Sequence, residues 1–194
     1  MNKGKLFIIS GPSGVGKSTL RENLLKDFDN FWYSISMTTR KPRVHEKTKK
    51  LEQNGVDYFF VSKDEFIDNI KKNNFLEYAE VYKDIYYGTP KDKVLEKLNN
   101  GINVILEIDV DGKEIVKKNY NDCISIFIKP KSLSELENRL LKRKSETYDK
   151  IKTRLERAEY EISKSSTYDY VIVSNTKEED YDNFSKLITK LINK

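Results

Sequence analysis

The chain has 194 residues, of which 37% are hydrophobic and 35% are charged, so it predicts one domain of ordinary size and excludes a disordered tail. No stretch approaches the roughly 18 uninterrupted apolar residues of a membrane span. The 36 basic residues exceed the 31 acidic ones by five, a surplus that permits phosphorylated ligands and demands no nucleic acid. Cys123 is the single cysteine, so no intramolecular disulfide is expected. The single cysteine and an N-terminus that lacks the features of a signal peptide together predict a cytoplasmic protein.

Short β-branched runs alternate with helical periodicity, the pattern of βα units around a parallel sheet. The five core strands are predicted at Leu6–Ser10, Phe31–Ser36, Ile102–Ile108, Cys123–Ile128 and Tyr170–Val173. Amphipathic helices are predicted from three sets of inward-facing residues: Leu20, Leu24, Leu25 and Phe28; Ile151, Leu155, Ala158 and Ile162; Tyr181, Phe184, Leu187, Ile188 and Leu191. The sequence therefore predicts an α/β fold with a five-stranded parallel core and two excursions, at about 38–90 and 135–150.

The first excursion begins basic and polar and then becomes aromatic. Val56–Val61 is predicted as a strand, and Ser62 with Glu65 forms a capping box that opens a helix. Tyr78–Tyr87 is predicted to be extended.

Helix boundaries are predicted at three further places. Thr89 is expected to cap a helix with Pro90 at its first position, and Gly101 is expected to end that helix. Another helix is predicted to start at Ser132, and a charged bend is predicted over Lys142–Lys150.

A phosphate-binding loop follows the first strand, because residues 11–19 fit the pattern G-x-x-x-x-G-K-[ST]. Glycines allow successive N–H groups to point at one anion, and the helix that starts near Lys17 adds its positive end. Lys17 can reach the β- and γ-phosphates, and Ser18 can ligate Mg²⁺. The alternative is a glycine-rich turn that only joins a strand to a helix. The predicted nucleotide-binding residues are Gly11, Ser13, Gly14, Val15, Gly16, Lys17, Ser18 and Thr19.

The rest of the chain favours a small kinase among nucleotide-binding proteins. No N-K-x-D motif for guanine in a GTPase follows the loop. A kinase needs an acceptor site, a metal-orienting carboxylate and arginines over the transferred group. Glu107 and Asp109 end the most apolar strand, and alternation predicts both on one side of it, at the edge where ligands bind. A solvated strand end is the alternative.

Arg40 and Arg43 lie beside hydroxyl residues in a predicted loop. Guanidinium groups bind phosphate with two parallel hydrogen bonds, so this loop is a candidate acceptor site. On charge alone, a solvated basic loop is the alternative.

Seven motifs occur in the order and approximate spacing of guanylate kinases: GPSGVGKSTL, SISMTTRKPR, NGVDYFFV, FLEYAEVY, YYGTP, LEIDVDG and RLLKRKSETYDKIKTRL. The chain resembles that family from about Leu6 to the C-terminal helix. The resemblance implies transfer of the γ-phosphoryl group of ATP to GMP with Mg²⁺, giving ADP and GDP in purine nucleotide metabolism. It implies a single domain over 1–194 with a three-layer P-loop NTPase-type fold, divided into a core (1–37, 91–134, 151–194), a GMP-binding lobe (38–90) and a lid (135–150). No nucleic acid, membrane or obligate protein partner is expected.

The resemblance also implies roles for individual residues. The positions that match the GMP phosphate site are Arg40, Arg43, Tyr58 and Tyr87, and those that match the guanine site are Ser36, Glu77, Thr89 and Asp109. Ser18 and Glu107 match the metal position, with Glu107 facing the metal directly or through water. The implied catalytic residues are Lys17, Arg40, Arg139, Arg143 and Arg154. Without the resemblance, each of these residues has an ordinary structural interpretation. Tyr58 and Tyr87 would be sheet residues, and Glu77, Arg139 and Arg143 would lie on a solvated surface.

The sequence departs from the family pattern at two places. Residues 47–53 look like an insertion of roughly six residues, which makes the placement of Tyr58 the least certain of the GMP residues. Ser174 stands where the family usually has asparagine, which puts the contacts of Ser174 and Asn175 to adenine in doubt. Since the second pKa of a phosphomonoester is about 6, no general base is required and His45 need not be catalytic.

Three alternatives to this activity stay open from the sequence. A guanylate-kinase-like scaffold that has lost catalysis would typically have a degraded phosphate-binding loop, whereas here the loop matches its pattern fully. A kinase of the same architecture could act on another phosphorylated acceptor. A nucleic-acid binder would need a concentrated basic patch with interleaved aromatic residues, which the sequence lacks.

Overall fold

The structure is a computed structural model that describes residues 3–44, 49–142 and 148–193. Its strands are β1 (Leu6–Ser10), β2 (Phe31–Tyr33), β3 (Met37–Thr38), β4 (Phe59–Phe60), β5 (Phe75–Tyr82), β6 (Ile85–Pro90), β7 (Asn103–Glu107), β8 (Cys123–Pro130) and β9 (Tyr170–Ser174). Its helices are α1 (Lys17–Asp27), α2 (Lys63–Lys71), α3 (Lys91–Asn99), α4 (Val110–Asn119), α5 (Leu133–Lys142), α6 (Tyr148–Ser163) and α7 (Lys177–Ile192).

The larger sheet has five parallel strands in the order β2–β7–β1–β8–β9. Its middle strand β1 is at most 1% exposed at every residue, and its side chains alternate between two cores. Phe7 and Ile9 pack with residues of α1 and α7, whereas Leu6 and Ile8 pack with residues of α3 and α4. Burial of each such side chain stabilises the fold by about 1.5–3 kcal/mol. The predicted three-layer α/β fold with helices on both faces is confirmed.

Residues 37–90 contribute a second sheet, in the order β4–β3–β6–β5, and are called the inserted lobe below. Its helix α2 is capped as predicted, because the Ser62 hydroxyl accepts the Glu65 N–H at 3.1 Å. Phe66 of α2 is fully buried, and its ring stacks on Phe75 with centroids 4.5 Å apart. The Tyr78–Tyr87 stretch is two antiparallel strands rather than one, joined by a turn.

Three predicted boundaries in this part of the chain are wrong. Only Phe31–Tyr33 and Phe59–Phe60 are strands within the two longer predicted stretches. Thr89 does not cap α3 but belongs to β6, and Pro90 precedes the helix in an extended conformation. The physical reason is tertiary, since Thr89 is part of β6 and its hydroxyl donates to the buried carboxylate of Glu77.

Helices α5 and α6 pack against each other through Leu136 and Leu140 on one side and Ile151 and Ala158 on the other. The Ser132 hydroxyl accepts the Glu135 N–H at 3.1 Å, as the predicted helix start requires. Helix α5 reaches Lys142 and α6 begins at Tyr148, so both ends of the predicted charged bend are helical, and its middle lies outside the described residues. No helix in the described ranges is long and apolar enough to cross a membrane.

Candidate active site

Three glycines shape the loop between β1 and α1. Gly11, Gly14 and Gly16 have φ angles of 147°, 93° and 115°, a region that side-chain-bearing residues rarely adopt. At Gly11 space is also limiting, because a Cβ there would lie 2.3 Å from the Ile128 carbonyl oxygen. Since α1 begins at Lys17, its unpaired N–H groups and positive end lie at this loop. The loop therefore has the backbone for anion binding.

Lys17 and Ser18 are neighbours in the chain and make polar contacts with different partners. The Lys17 ammonium donates to the carbonyl oxygens of Gly11 at 2.6 Å and Pro12 at 3.2 Å. The Ser18 hydroxyl donates to Glu107 at 3.3 Å. Hydroxyl and carboxylate oxygens are the donors that Mg²⁺ prefers, together with water and phosphate. Across the described ranges, no three His, Cys, Asp or Glu side chains form a metal-binding group.

Two of the predicted catalytic arginines contact the phosphate-binding loop. Arg139 donates to the Val15 carbonyl oxygen at 3.2 Å and to the Ser174 hydroxyl at 3.0 Å. Arg154 donates to the Ser13 hydroxyl at 2.5 Å. Another of the four predicted catalytic arginines, Arg143, lies outside the described residues, as does His45. Helices α5 and α6 thus each bring one cation to the loop.

In the inserted lobe, Arg40, Tyr58 and Tyr87 form one cluster, called the arginine–tyrosine cluster. Arg40 is only 8% exposed, and its guanidinium lies 4.8 Å from the centroid of the Tyr58 ring. Its Nε donates to the Tyr87 hydroxyl at 2.9 Å, and the two tyrosine rings meet edge to face at 5.9 Å. Arg43 is exposed, close to this cluster in sequence. The structure thus brings together three of the four predicted phosphate-site side chains.

A second polar pair lies deeper in the lobe. The Thr89 hydroxyl donates to Glu77 at 2.5 Å, and both residues are buried. Burial raises the pKa of Glu77 to about 7, with a further increase from the charge of Asp109, while the Thr89 hydrogen bond opposes the shift. A Cβ on Gly112 would lie 3.5 Å from Glu77 and 3.3 Å from Asp109, so both carboxylates border the same residue. Ser36 is half-buried at the start of the lobe, where its carbonyl oxygen accepts the Phe59 N–H.

The prediction that Glu107 and Asp109 share one side of a strand is wrong. β7 ends at Glu107, and Asp109 is the N-cap of α4, where its carboxylate accepts the Gly112 N–H at 2.8 Å. Glu107 instead contacts α1, through Ser18 and through Arg21 at 3.0 Å. The capping geometry brings the Asp109 carboxylate to Gly112, which also borders Glu77.

Three charged residues at the site were not among those predicted. Glu52 accepts two hydrogen bonds from Arg40, at 2.6 and 2.7 Å. Arg157 lies 3.1 Å from Asp109 and 3.4 Å from Glu161, which is itself buried. The spacing of Arg157 and Glu161 from Arg154 on one helix face could have revealed both. Glu52 lies in the predicted insertion, and the sequence carries no comparable signal for it.

Comparison with known proteins gives the same family by sequence and by structure. A family model described as guanylate kinase matches residues 3–191. The guanylate kinase of Clostridium tetani is 48% identical over 189 residues, which are 97% of this chain and 87% of that protein. The guanylate kinase of Clostridium acetobutylicum is 47% identical over 186 residues, 96% of this chain and 85% of that one. A crystal structure of guanylate kinase from Anaplasma phagocytophilum aligns with a TM-score of 0.75 at 31% identity, covering 100% of this chain and 88% of that one.

Proposed function

Since the chain belongs to the guanylate kinase family and is an ATP:GMP phosphotransferase, we propose that the phosphate-binding loop holds ATP and the inserted lobe holds GMP. The observation that carries this division is the buried Glu77–Thr89 pair beside Asp109. It places hydrogen-bonding groups suited to a guanine base in the same lobe as the arginine–tyrosine cluster, which suits a phosphate.

Glu77 is proposed to select guanine. Its carboxylate can accept hydrogen bonds from both the N1–H and the exocyclic amine of guanine. Adenine has no N1–H, so one carboxylate oxygen would stay unpaired in a buried site, and such sites discriminate strongly. Thr89, Ser36 and Asp109 are proposed to complete the base site.

The acceptor phosphate is proposed to lie against Arg40, Arg43 and the hydroxyls of Tyr58 and Tyr87. Three of these four side chains already contact one another, so little ordering is needed when GMP binds. Because the acceptor oxygen of GMP is already largely ionised near neutrality, the protein needs only to align it with the γ-phosphate and offset the charge.

On the donor side, Lys17 and the amides of the loop are proposed to hold the phosphates of ATP. Lys17 now donates to loop carbonyl oxygens, and a β- or γ-phosphate offers it a stronger, charged acceptor. Arg139 and Arg154 contact the same loop and are proposed to offset the charge of the transferred group, together with Arg143.

Magnesium is proposed to bind at Ser18, with Glu107 facing it directly or through water. The contact between these two oxygen donors at 3.3 Å fits the few protein ligands that Mg²⁺ takes beside phosphates and water. Bound there, the ion would neutralise charge on the β- and γ-phosphates.

The chain is proposed to divide into a core (1–37, 91–134, 151–194), a GMP-binding lobe (38–90) and a lid (135–150). Closure of lobe and lid over both nucleotides would exclude water and suppress hydrolysis of ATP. A cytoplasmic location, and the lack of nucleic-acid, membrane and obligate protein partners, stay predictions.

The test is an ADP-release assay with ATP and Mg²⁺ that compares GMP, AMP, CMP and UMP as acceptors. Turnover with GMP alone is expected, and Glu77→Gln should lower kcat/KM for GMP by roughly 100-fold or more. Equal turnover with another acceptor would contradict the proposed base site. Binding of ATP without turnover of any acceptor would instead favour a scaffold.

A further inference from the structure

Glu52 forms a buried ion pair with the arginine proposed to hold the acceptor phosphate. Its two carboxylate oxygens lie 2.6 and 2.7 Å from Nη1 and Nη2 of Arg40. The side chains are 12% and 7% exposed, so water screens this pair little. Glu52 belongs to residues 47–53, the segment that departs from the family pattern and has no role in the reaction as described above.

The pairing limits how Arg40 can bind a phosphate. Of its five N–H groups, Nε donates to the Tyr87 hydroxyl, Nη1 donates to Glu52 and to the Lys41 carbonyl oxygen, and Nη2 donates once to Glu52. Among the described residues, one Nη2 N–H therefore has no acceptor. A phosphate can form two parallel hydrogen bonds with this guanidinium only by displacing Glu52 or Tyr87.

Glu52 is itself held in place at both its backbone and its side chain. One carboxylate oxygen accepts the Arg43 N–H at 2.8 Å, and the Glu52 N–H donates to the Arg43 carbonyl oxygen at 2.9 Å. Val44 and Leu51 pair in antiparallel register next to this contact. Displacing Glu52 would break its two hydrogen bonds to the buried Arg40 guanidinium and the two that join it to the Arg43 backbone, which is costly. Retention of the pair when GMP binds is therefore favoured over exchange.

We propose that Glu52 is a positioning residue for the GMP phosphate: it fixes the Arg40 guanidinium so that its remaining Nη2 N–H faces the ligand beside the two tyrosine hydroxyls. This rests on the proposed role of Arg40. The part of the insertion that the structure describes, residues 49–53, thereby acquires a function, because it supplies the carboxylate that pairs with Arg40. Glu52 also offsets the buried charge of Arg40, and their hydrogen bond raises the pKa of Arg40.

The test is Glu52→Gln, which keeps the shape of the side chain and removes its charge. The KM for GMP is expected to rise on the order of ten-fold, and calorimetric affinity for GMP to fall in parallel, because a hydrogen-bonded charge is lost. The KM for ATP should stay within about two-fold, since the hydrogen bonds described for Glu52 go to Arg40 and Arg43 of the inserted lobe. The matched control is Asp84→Asn in the same lobe, whose ion pair with Lys63 is half exposed and whose loss should leave the KM for GMP unchanged.

A double-variant cycle separates positioning from a structural effect. When Arg40 is already replaced by Lys, Glu52→Gln should cost much less GMP affinity than it costs in the wild-type chain. If Glu52→Gln does not fold, Glu52→Asp provides the same test, since it keeps the charge and draws the carboxylate back by one methylene. An unchanged or lowered KM for GMP, or additive effects in the cycle, would overturn the proposal. Lack of GMP turnover by the wild-type protein would instead overturn the proposed function on which it rests.

Discussion

The phosphate-binding loop and the inserted lobe are each proposed to bind a phosphate, and they do so with different parts of the chain. The loop uses backbone N–H groups, one lysine and three glycines with positive φ, all within residues 11–19. The lobe uses Arg40, Tyr58 and Tyr87, which are far apart in sequence and meet through packing. Phosphate binding by the loop depends on backbone conformation, whereas phosphate binding by the lobe depends on a buried charge and the side chains that hydrogen-bond to it.

The largest effect is expected at the single side-chain cation of the loop motif. Lys17→Ala should lower kcat by roughly 1,000-fold, because no other group of the motif supplies a positive charge to the transferred phosphoryl group. Its melting temperature should stay near that of the wild type, since the Lys17 ammonium donates to carbonyl oxygens of the loop and the side chain is not part of the apolar core. Near-normal turnover by folded Lys17→Ala would refute the proposed role.

In the lobe, the strongest effect on stability is expected from Glu77. Its pKa is raised from 4.5 to about 7 in the folded protein, so the folded state binds a proton that the unfolded state has lost between these values. The stability from this group is therefore present below about pH 4.5 and lost as the pH rises through about 7, a change of roughly 3 kcal/mol.

Glu77→Gln removes this titration and keeps an acceptor for Thr89. Relative to the variant, the wild-type protein should lose unfolding free energy between pH 5 and 8, measured by denaturant titration without nucleotide. A difference between the two proteins that does not change with pH would contradict the raised pKa.

Two glycines of the loop allow backbone strain to be separated from crowding. The Cβ added by Gly16→Ala would have no atom within 4 Å. The φ of 115° alone should therefore lower the unfolding free energy by about 1–2 kcal/mol. Gly11→Ala should lower the unfolding free energy by about 1–3 kcal/mol more than Gly16→Ala does, because its Cβ would overlap the Ile128 carbonyl oxygen. Equal melting temperatures for the two variants would show that the contact with β8 does not restrict the loop.

The smallest effect is expected at Arg157, whose ion pairs with Asp109 and Asp111 are largely open to water, its third partner Glu161 being the only buried one. Arg157 and its partners Asp109 and Asp111 are 44%, 52% and 50% exposed, so solvent screening discounts these contacts. Arg157→Gln should lower the unfolding free energy by less than about 1 kcal/mol. A loss of several kcal/mol in denaturant titration would contradict this. It would mean that Arg157 contributes to stability as strongly as a buried ion pair does.

Features that depend on near neighbours in the chain were predicted well. The caps at Ser62 and Ser132 and the buried strand β1 follow from patterns within a few residues, and the structure confirms them. The assignment of Thr89 as a cap failed for the opposite reason. Thr89 instead lies in β6, and its hydroxyl donates to the buried carboxylate of Glu77, a contact between residues twelve positions apart.

The sequence by itself determined the parallel core and the phosphate-binding loop, because hydrophobic periodicity and a contiguous motif are local properties of the chain. Tertiary structure alone decided that Glu52 faces Arg40, that Asp109 and Glu77 both border Gly112, and that Arg157 joins α6 to the start of α4. A buried charge takes the partner that three-dimensional packing brings within reach, and sequence distance does not limit that choice.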